Sequence, residues 1–363
     1  MNLEYDDDQR MLRDTLARFL SQQLPFETRR AMRNPAAQLA LWRAADSGIG
    51  IGAAALPASV GGFGGGRVAA MIVAEELGAA LAVTPYIDCH VLTGELLLAL
   101  GETARAAVIG RGEALVVTAI EEPATRGDIG AVAAHATPAD DGWMLTGRKV
   151  AVAFAAEADH VVIPARDAEH NLRLFLVPAA SLADRLQPYW TIDDTPAADI
   201  DLDGLWIDSA AEIGRGQDGE AALQAAVDTA IAALAAEASG LARVLLDDTL
   251  LYAKQRKQFG ATLSSFQALQ HRMVDMLMLR ESIAAAALLA ALKPGDAQAT
   301  AAAKATIGDA LRKIGQEAVQ LHGAMGMTEE LRVGHYFKRA TAIEQRLGTG
   351  DFHAARYAAG MVL

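Results

Sequence analysis

The chain has 363 residues, 52% of them hydrophobic, which is too much for one small core and enough to bury two or three apolar centres. Its 45 acidic against 32 basic residues give a formal net charge of -13, which repels nucleic-acid phosphates and anionic lipid and excludes both as general partners. One cysteine, Cys89, precludes an internal disulfide framework and fits a reducing cytoplasm, and the 8 histidines show no metal-ligand spacing.

The sequence opens on Glu4, Asp6, Asp7 and Asp8, without the basic flank and apolar core of a signal peptide. Met11, Leu12, Leu16, Phe19 and Leu20 then recur at helical spacing and predict an amphipathic helix. Residues 1–111 read as a helical domain, broken where Leu56-Pro57 leads into the glycine run Gly61 to Gly66 around Phe63, because proline removes a donor and glycine favours open backbone. Over 112–212 the pattern changes to short apolar runs: Ala114 to Val117, Trp143 to Leu145, Val161 to Ile163 and Leu172 to Val177. Such runs between turn residues predict a β domain, with Asp141-Gly142 as a hairpin turn. From 213 to 363 the helical signal returns, with long stretches at 220–257, 264–293 and 297–322. Short connections such as Lys293-Pro294-Gly295 make neighbours antiparallel and predict a four-helix bundle. Alanine, the strongest helix former, dominates these stretches. Their charges are expected to interrupt them before membrane-spanning length, so no transmembrane helix is proposed.

Two runs in the helical third carry chemistry. Arg256-Lys257-Gln258-Phe259-Gly260, followed by Leu263 and Phe266-Gln267, resembles the arginine and phenylalanine motif of the acyl-CoA dehydrogenase family. Gln320-Leu321-His322-Gly323-Ala324-Met325-Gly326 resembles the family's second hallmark, and the loop Pro57 to Gly64 and Glu75-Glu76-Leu77-Gly78 also fit, so the resemblance spans the chain. The ending Gly334-His335-Tyr336-Phe337-Lys338-Arg339-Ala340-Thr341 is most similar to the small subunits of heteromeric members, such as pimeloyl-CoA dehydrogenases and sterol side-chain dehydrogenases. The resemblance implies an α+β multi-domain fold: an N-terminal helical domain, a β-barrel-like middle domain and a C-terminal four-helix bundle.

It also implies FAD. A dinucleotide tail needs a cation for its pyrophosphate, a flat apolar face and close backbone approach. Arg256 offers a fixed fork of donors, Phe259 the face and Gly323 the approach. By resemblance, Arg256, Phe259, Gln267, Gln320 and Gly323 reach across a subunit interface to a flavin whose ring sits on the neighbour. The second family glycine is Ala324 here, and His322 lies within the motif as a further candidate contact.

The reacting half departs from the family pattern. Family members abstract a proton next to the thioester with a glutamate. Leu347 stands at that position, and Ala230 and Ile231 stand where some relatives carry an alternative base. Glu237 and Glu344 are candidates for a relocated base, although the plainer expectation is an interface or capping partner for Glu237 and a helix-surface or salt-bridged residue for Glu344. In the flavin-ring motif, Glu121-Glu122-Pro123-Ala124-Thr125-Arg126-Gly127-Asp128, Glu121 and Gly127 replace two hydroxyl residues. Ala151 and Ala153 replace the family's Trp and Thr one strand later. Asp193-Asp194 reads as a charged turn, and His335 and His353 as ordinary contacts.

Three readings remain open from the sequence. The leading one is an accessory subunit that serves a larger homologous acyl-CoA dehydrogenase subunit in an α2β2 complex, with an acyl-CoA substrate and an electron-transferring flavoprotein as acceptor. A second is a self-sufficient homotetramer with a relocated base. A third is a flavin-free scaffold or acyl-CoA-binding subunit.

Overall fold

The computed structural model of the chain describes residues 4–361, the side chains of Arg30 and Ala31 excepted. Seven helices come first: α1 (Asp7–Gln23), α2 (Phe26–Ala31), α3 (Pro35–Ile49), α4 (Ile51–Ala55), α5 (Gly66–Ala79), α6 (Gly94–Ala99) and α7 (Thr103–Gly110). A π-helical turn, Tyr86–Thr93, leads into α6. Ten strands follow: β1 (Val116–Thr118), β2 (His135–Ala139), β3 (Gly142–Thr146), β4 (Arg148–Ala153), β5 (His160–Arg166), β6 (Leu172–Pro178), β7 (Leu186–Trp190), β8 (Pro196–Asp201), β9 (Leu205–Asp208) and β10 (Glu212–Arg215). The remainder is α8 (Gly216–Gln255), the two-residue strands β11 (Lys257–Gln258) and β12 (Ala261–Thr262), α9 (Gln267–Leu292), α10 (Ala297–His322), α11 (Arg332–Gln345) and α12 (Gly350–Ala359). Helical N-terminus, strands and helical bundle succeed one another as the sequence implies, and α8, α9 and α10 fall on the three long stretches of helical signal.

Backbone contacts divide the chain into two compact units: Met1–Ala31, Met71–Ala82 and Ile231–Leu363 form one, Met32–Ala70 and Val83–Ala230 the other. Within the first, α10 is the central helix, packed against by α9, α11 and α12. Its inward face is built of small and branched residues, among them Ala301, Ala303, Ile307, Ala310 and Ile314, so its neighbours lie close. Gly308 lets α10 approach the backbone of Gly350, at the start of α12, to 3.2 Å from where a Cβ would sit. Lys304 is fully buried on the same helix and donates to the carbonyls of Ile343 and Glu344 at 3.0 and 2.9 Å. A cation there satisfies last-turn acceptors of α11 and suits the negative end of its dipole.

Two helices of this unit cross at backbone distance. A Cβ at Gly240 on α8 would lie 2.0 Å from the Glu75 carbonyl oxygen on α5, and one at Gly78 on α5 would lie 2.3 Å from the Glu237 carbonyl oxygen on α8. The reciprocal glycines are therefore what the crossing requires. Flanking it, Arg243 on α8 binds Glu76 on α5 at 2.9 Å.

The second unit holds the sheets. One runs β10-β6-β5-β2-β3-β9, with β1 added parallel to β5; the other runs β4-β8-β7. The β2–β3 hairpin turns on Asp140 and Asp141, one residue earlier than expected, with Asp140 at φ 45. Gly142 instead opens β3, where its lack of a side chain admits the Ile207 carbonyl of β9 at 2.2 Å from a notional Cβ. Its glycine serves strand approach, not the positive φ for which it was read. A second expectation needs correction: α8 is long and apolar enough to pass a membrane-span criterion by composition, with charge failing to interrupt it. Yet 89% of its apolar window is buried inside the protein, so it serves as a core helix.

Gly240→Ala should destabilise the protein by about 1–3 kcal/mol, the usual cost of forcing extra volume into a packed contact. Urea denaturation of the variant beside the unaltered chain checks this, and an unchanged midpoint would show that α5 and α8 separate without cost.

Candidate functional site

The residues expected to hold a dinucleotide tail lie on three segments of the first unit. At the end of α8 the Arg256 N–H closes on the Tyr252 carbonyl at 2.8 Å, and the chain enters the β11–β12 hairpin. Its two-residue turn is Phe259 (φ 53) and Gly260 (φ 80), both left-handed as a type I′ turn demands. Such backbone is unusual for phenylalanine. The turn nevertheless carries Phe259 outward, 91% exposed, with its ring edge-to-face to Phe266 at 6.3 Å. Gln267 follows as the first residue of α9.

The third segment is the end of α10. Gly323 adopts φ 62, ψ -147, a region essentially reserved for glycine, and a Cβ there would meet nothing within 4 Å. Open space in front of this backbone fits the close approach expected of it. Gln320 lies one turn before. Arg256, Phe259, Gln267, Gln320 and Gly323 are all exposed to solvent. His322 differs: its ring is buried, with Nδ1 donating to the Ala318 carbonyl at 2.8 Å, and stacks on Tyr252 with centroids 4.4 Å apart. Burial holds its pKa below the ordinary histidine value, against the opposing pull of that hydrogen bond and of Asp248.

No proton acceptor stands at the usual base position. Leu347 is buried at φ 54, beside Gly348 at φ 92, and its carbonyl accepts from His353 Nε2 at 2.8 Å. Ala230 and Ile231 are fully buried hydrocarbon. Of the two displaced carboxylates, Glu237 is buried against Arg339, with Oε1 2.6 Å from Nε. Glu344 binds Arg312 across α11 and α10 at 3.0 Å. Each already accepts from an arginine, which supports the plainer ion-pair role. His335 lies 3.1 Å from Glu329 Oε2 and edge-on to Phe26, and burial lowers its pKa as well. Asp193 accepts from Thr191 and Thr195 at 2.5 and 3.1 Å within the β7–β8 turn.

The residues aligned with the flavin-ring motif lie in the second unit. Glu122 is buried and takes Lys149 Nζ at 2.5 Å and the Ala133 N–H at 2.7 Å. Burial pulls the Lys149 pKa down, opposed by Glu122. Glu121, half-buried, has Oε2 3.4 Å from the Thr125 hydroxyl. Ala151 sits at the register break between β4 and β8 at φ 53. Its N–H is spent on Asp199 at 3.0 Å and Tyr189 at 3.1 Å, in a cluster completed by Arg148 on Asp199 at 2.6 Å. Tyr189 and Asp199 come from β7 and β8 and had no local signal in sequence. At the positions aligned with the ring motif the structure thus shows a half-buried carboxylate, two alanines and an N–H already bonded, whereas the exposed residues of the first unit present donors, a flat face and open backbone.

Comparison with known proteins agrees with the fold. The family description "Acyl-CoA dehydrogenase, N-terminal domain" matches residues 6–107, and "Acyl-CoA dehydrogenase, C-terminal domain" matches 217–362. The acyl-CoA dehydrogenase IpdE2 of Mycolicibacterium smegmatis is 30% identical over 344 residues, covering 94% of this chain and 95% of that protein. Human mitochondrial short-chain specific acyl-CoA dehydrogenase is 26% identical over 84% of this chain and 78% of its own. Among solved structures, a variant of the Tcur3481-Tcur3483 steroid ACAD superposes with a TM-score of 0.86 at 27% identity, covering 97% of both chains. The ChsE4-ChsE5 complex from Mycobacterium tuberculosis superposes with a TM-score of 0.85 at 23% identity over the full length of both.

The lowered pKa of His322 sets a pH dependence. A histidine whose folded pKa lies below its unfolded value contributes stability that is complete above about pH 6.5 and is lost as pH falls through the folded value. The denaturation midpoint should fall between about pH 7 and about pH 5, and fall less steeply in His322→Phe. Parallel pH profiles of the two proteins would contradict this.

Proposed function

The chain belongs to the acyl-CoA dehydrogenase family, and from that premise we propose that it is the accessory subunit of a heteromeric, FAD-dependent enzyme that dehydrogenates an acyl-CoA thioester between its α and β carbons. Membership makes it an oxidoreductase-family protein acting on CH–CH bonds; the accessory role is our reading. It goes with a division into domains at 1–111, 112–212 and 213–363. The observation that carries it is the contrast between the two halves of the cofactor site. Five exposed side chains and backbone positions suited to a dinucleotide tail stand on one unit, while both base positions are hydrocarbon and the ring-side positions are altered.

When bound, flavin supplies a hydride acceptor. This chain's contribution is binding and orientation. Arg256 would place its guanidinium on the pyrophosphate, Phe259 would lay its ring on the nucleotide end, and Gln267, Gln320 and Gly323 would close around them. Proton removal falls to a glutamate on a larger homologous subunit, since Glu237 and Glu344 are engaged by arginines. The likeness to the Tcur3481-Tcur3483 steroid ACAD, which carries the names of two components, supports a heteromeric assembly and bulky acyl thioesters as substrates. An electron-transferring flavoprotein is the acceptor we expect.

Purified alone, the chain should lack the yellow absorbance of flavin and turn over acyl-CoA at least about 100-fold more slowly than the assembled enzyme, since a general base contributes about 10²–10⁴-fold. Co-expression with a homologue carrying the glutamate should give yellow, active complex. Yellow, active protein from this chain alone would favour the self-sufficient homotetramer, and no flavin in either preparation the scaffold.

A further inference from the structure

The end of α8 and the end of α10 carry different parts of the proposed tail grip, and one side-chain pair joins them. Tyr252 lies in the last turn of α8, and its carbonyl accepts from the N–H of Arg256, the first residue past that helix, at 2.8 Å. Its ring stacks on His322 at 4.4 Å with 28° between the planes, and its hydroxyl donates to the His322 carbonyl at 3.3 Å. His322 is the last residue of α10, and its own ring is anchored on Ala318. The carbonyl that Tyr252 holds belongs to the planar peptide that leads into Gly323, so fixing it fixes the orientation of that peptide.

We propose that Tyr252 is a positioning residue whose stack and hydroxyl hold Arg256 and the Gly323 turn in register toward one dinucleotide tail. The inference rests on the tail role proposed above and goes beyond it, since Tyr252 acts through two other residues. His322 then contributes its ring to the stack and its carbonyl to the bond, which explains a histidine inside the motif whose ring is buried. A tyrosine and a histidine in face-to-face contact lose little freedom on binding, so the two helix ends are set before the ligand arrives.

ADP, which carries adenosine and pyrophosphate without a flavin ring, is the probe. Its affinity is measured by calorimetric titration at low salt for the unaltered chain, Tyr252→Ala, Arg256→Gln and the double variant, with melting curves alongside. Tyr252→Ala should weaken ADP by about tenfold when Arg256 is present and by only about threefold when it is absent, the remainder being the part carried by the Gly323 turn and the difference the coupling expected when Tyr252 acts through Arg256. Tyr252→Phe keeps the stack and removes the hydroxyl; it should cost about 3- to 10-fold and serves should the alanine variant not fold. Equal losses in both backgrounds, or ADP binding unchanged by either replacement, would overturn the proposal. An unaltered chain that binds no ADP would remove the tail reading itself, and the inference with it.

Discussion

Where α5 and α8 pass each other, each helix offers a glycine to a carbonyl of the other: Gly240 to Glu75 and Gly78 to Glu237. Contact at that distance fixes the rotation of α8 about its own axis, and much of the helical unit follows from that rotation. It turns Glu237 to the buried Arg339 of α11 and Arg243 to Glu76, so both ion pairs form between elements instead of within one. It also sets the direction in which α8 delivers its last turn. Since Tyr252 lies on that turn and Arg256 follows it, a crossing several turns away determines what the hairpin beyond it can face. The buried pair at Glu237 illustrates the same dependence in energetic terms: removal of one partner strands a charge in low dielectric, at about 3–5 kcal/mol, while the intact pair adds little net stability.

Much of this was legible in the sequence. The three long helices were legible because their alanine-rich stretches carry few internal breakers, so local propensity and tertiary packing agree there. Two glycines of the motif segments were legible because local backbone demands them: Gly260 and Gly323 both sit where φ is positive. What stayed hidden depends on partners distant in sequence. No local pattern marks Lys304 as a buried cation under the end of α11, or Tyr189 and Asp199 as the groups that occupy the Ala151 N–H. Gly142 was read for the wrong property, because a glycine chosen for strand approach and one chosen for a turn look identical in one dimension. For α8, composition alone suits a membrane or a protein core, and only its burial distinguishes them.

The site residues divide by the kind of work they do. Those expected to bind stand on helix ends and a tight hairpin of the first unit, exposed to solvent. Phe259 is the extreme case, an aromatic ring held almost wholly in water by a turn that few phenylalanines adopt. Groups expected at the chemical step are replaced by hydrocarbon or committed to ion pairs.

The loop at Leu347 shows how such a loss can leave the fold undisturbed. Its shape is set from outside, by Lys304 gripping the preceding helix end, by His353 on the Leu347 carbonyl and by Gly348 next in line, none of which touches the leucine side chain through a polar bond. The identity of residue 347 is thereby uncoupled from the geometry of the backbone that presents it. The position is a socket whose backbone keeps its shape whatever side chain it presents, although a carboxylate there would still need a partner for its buried charge.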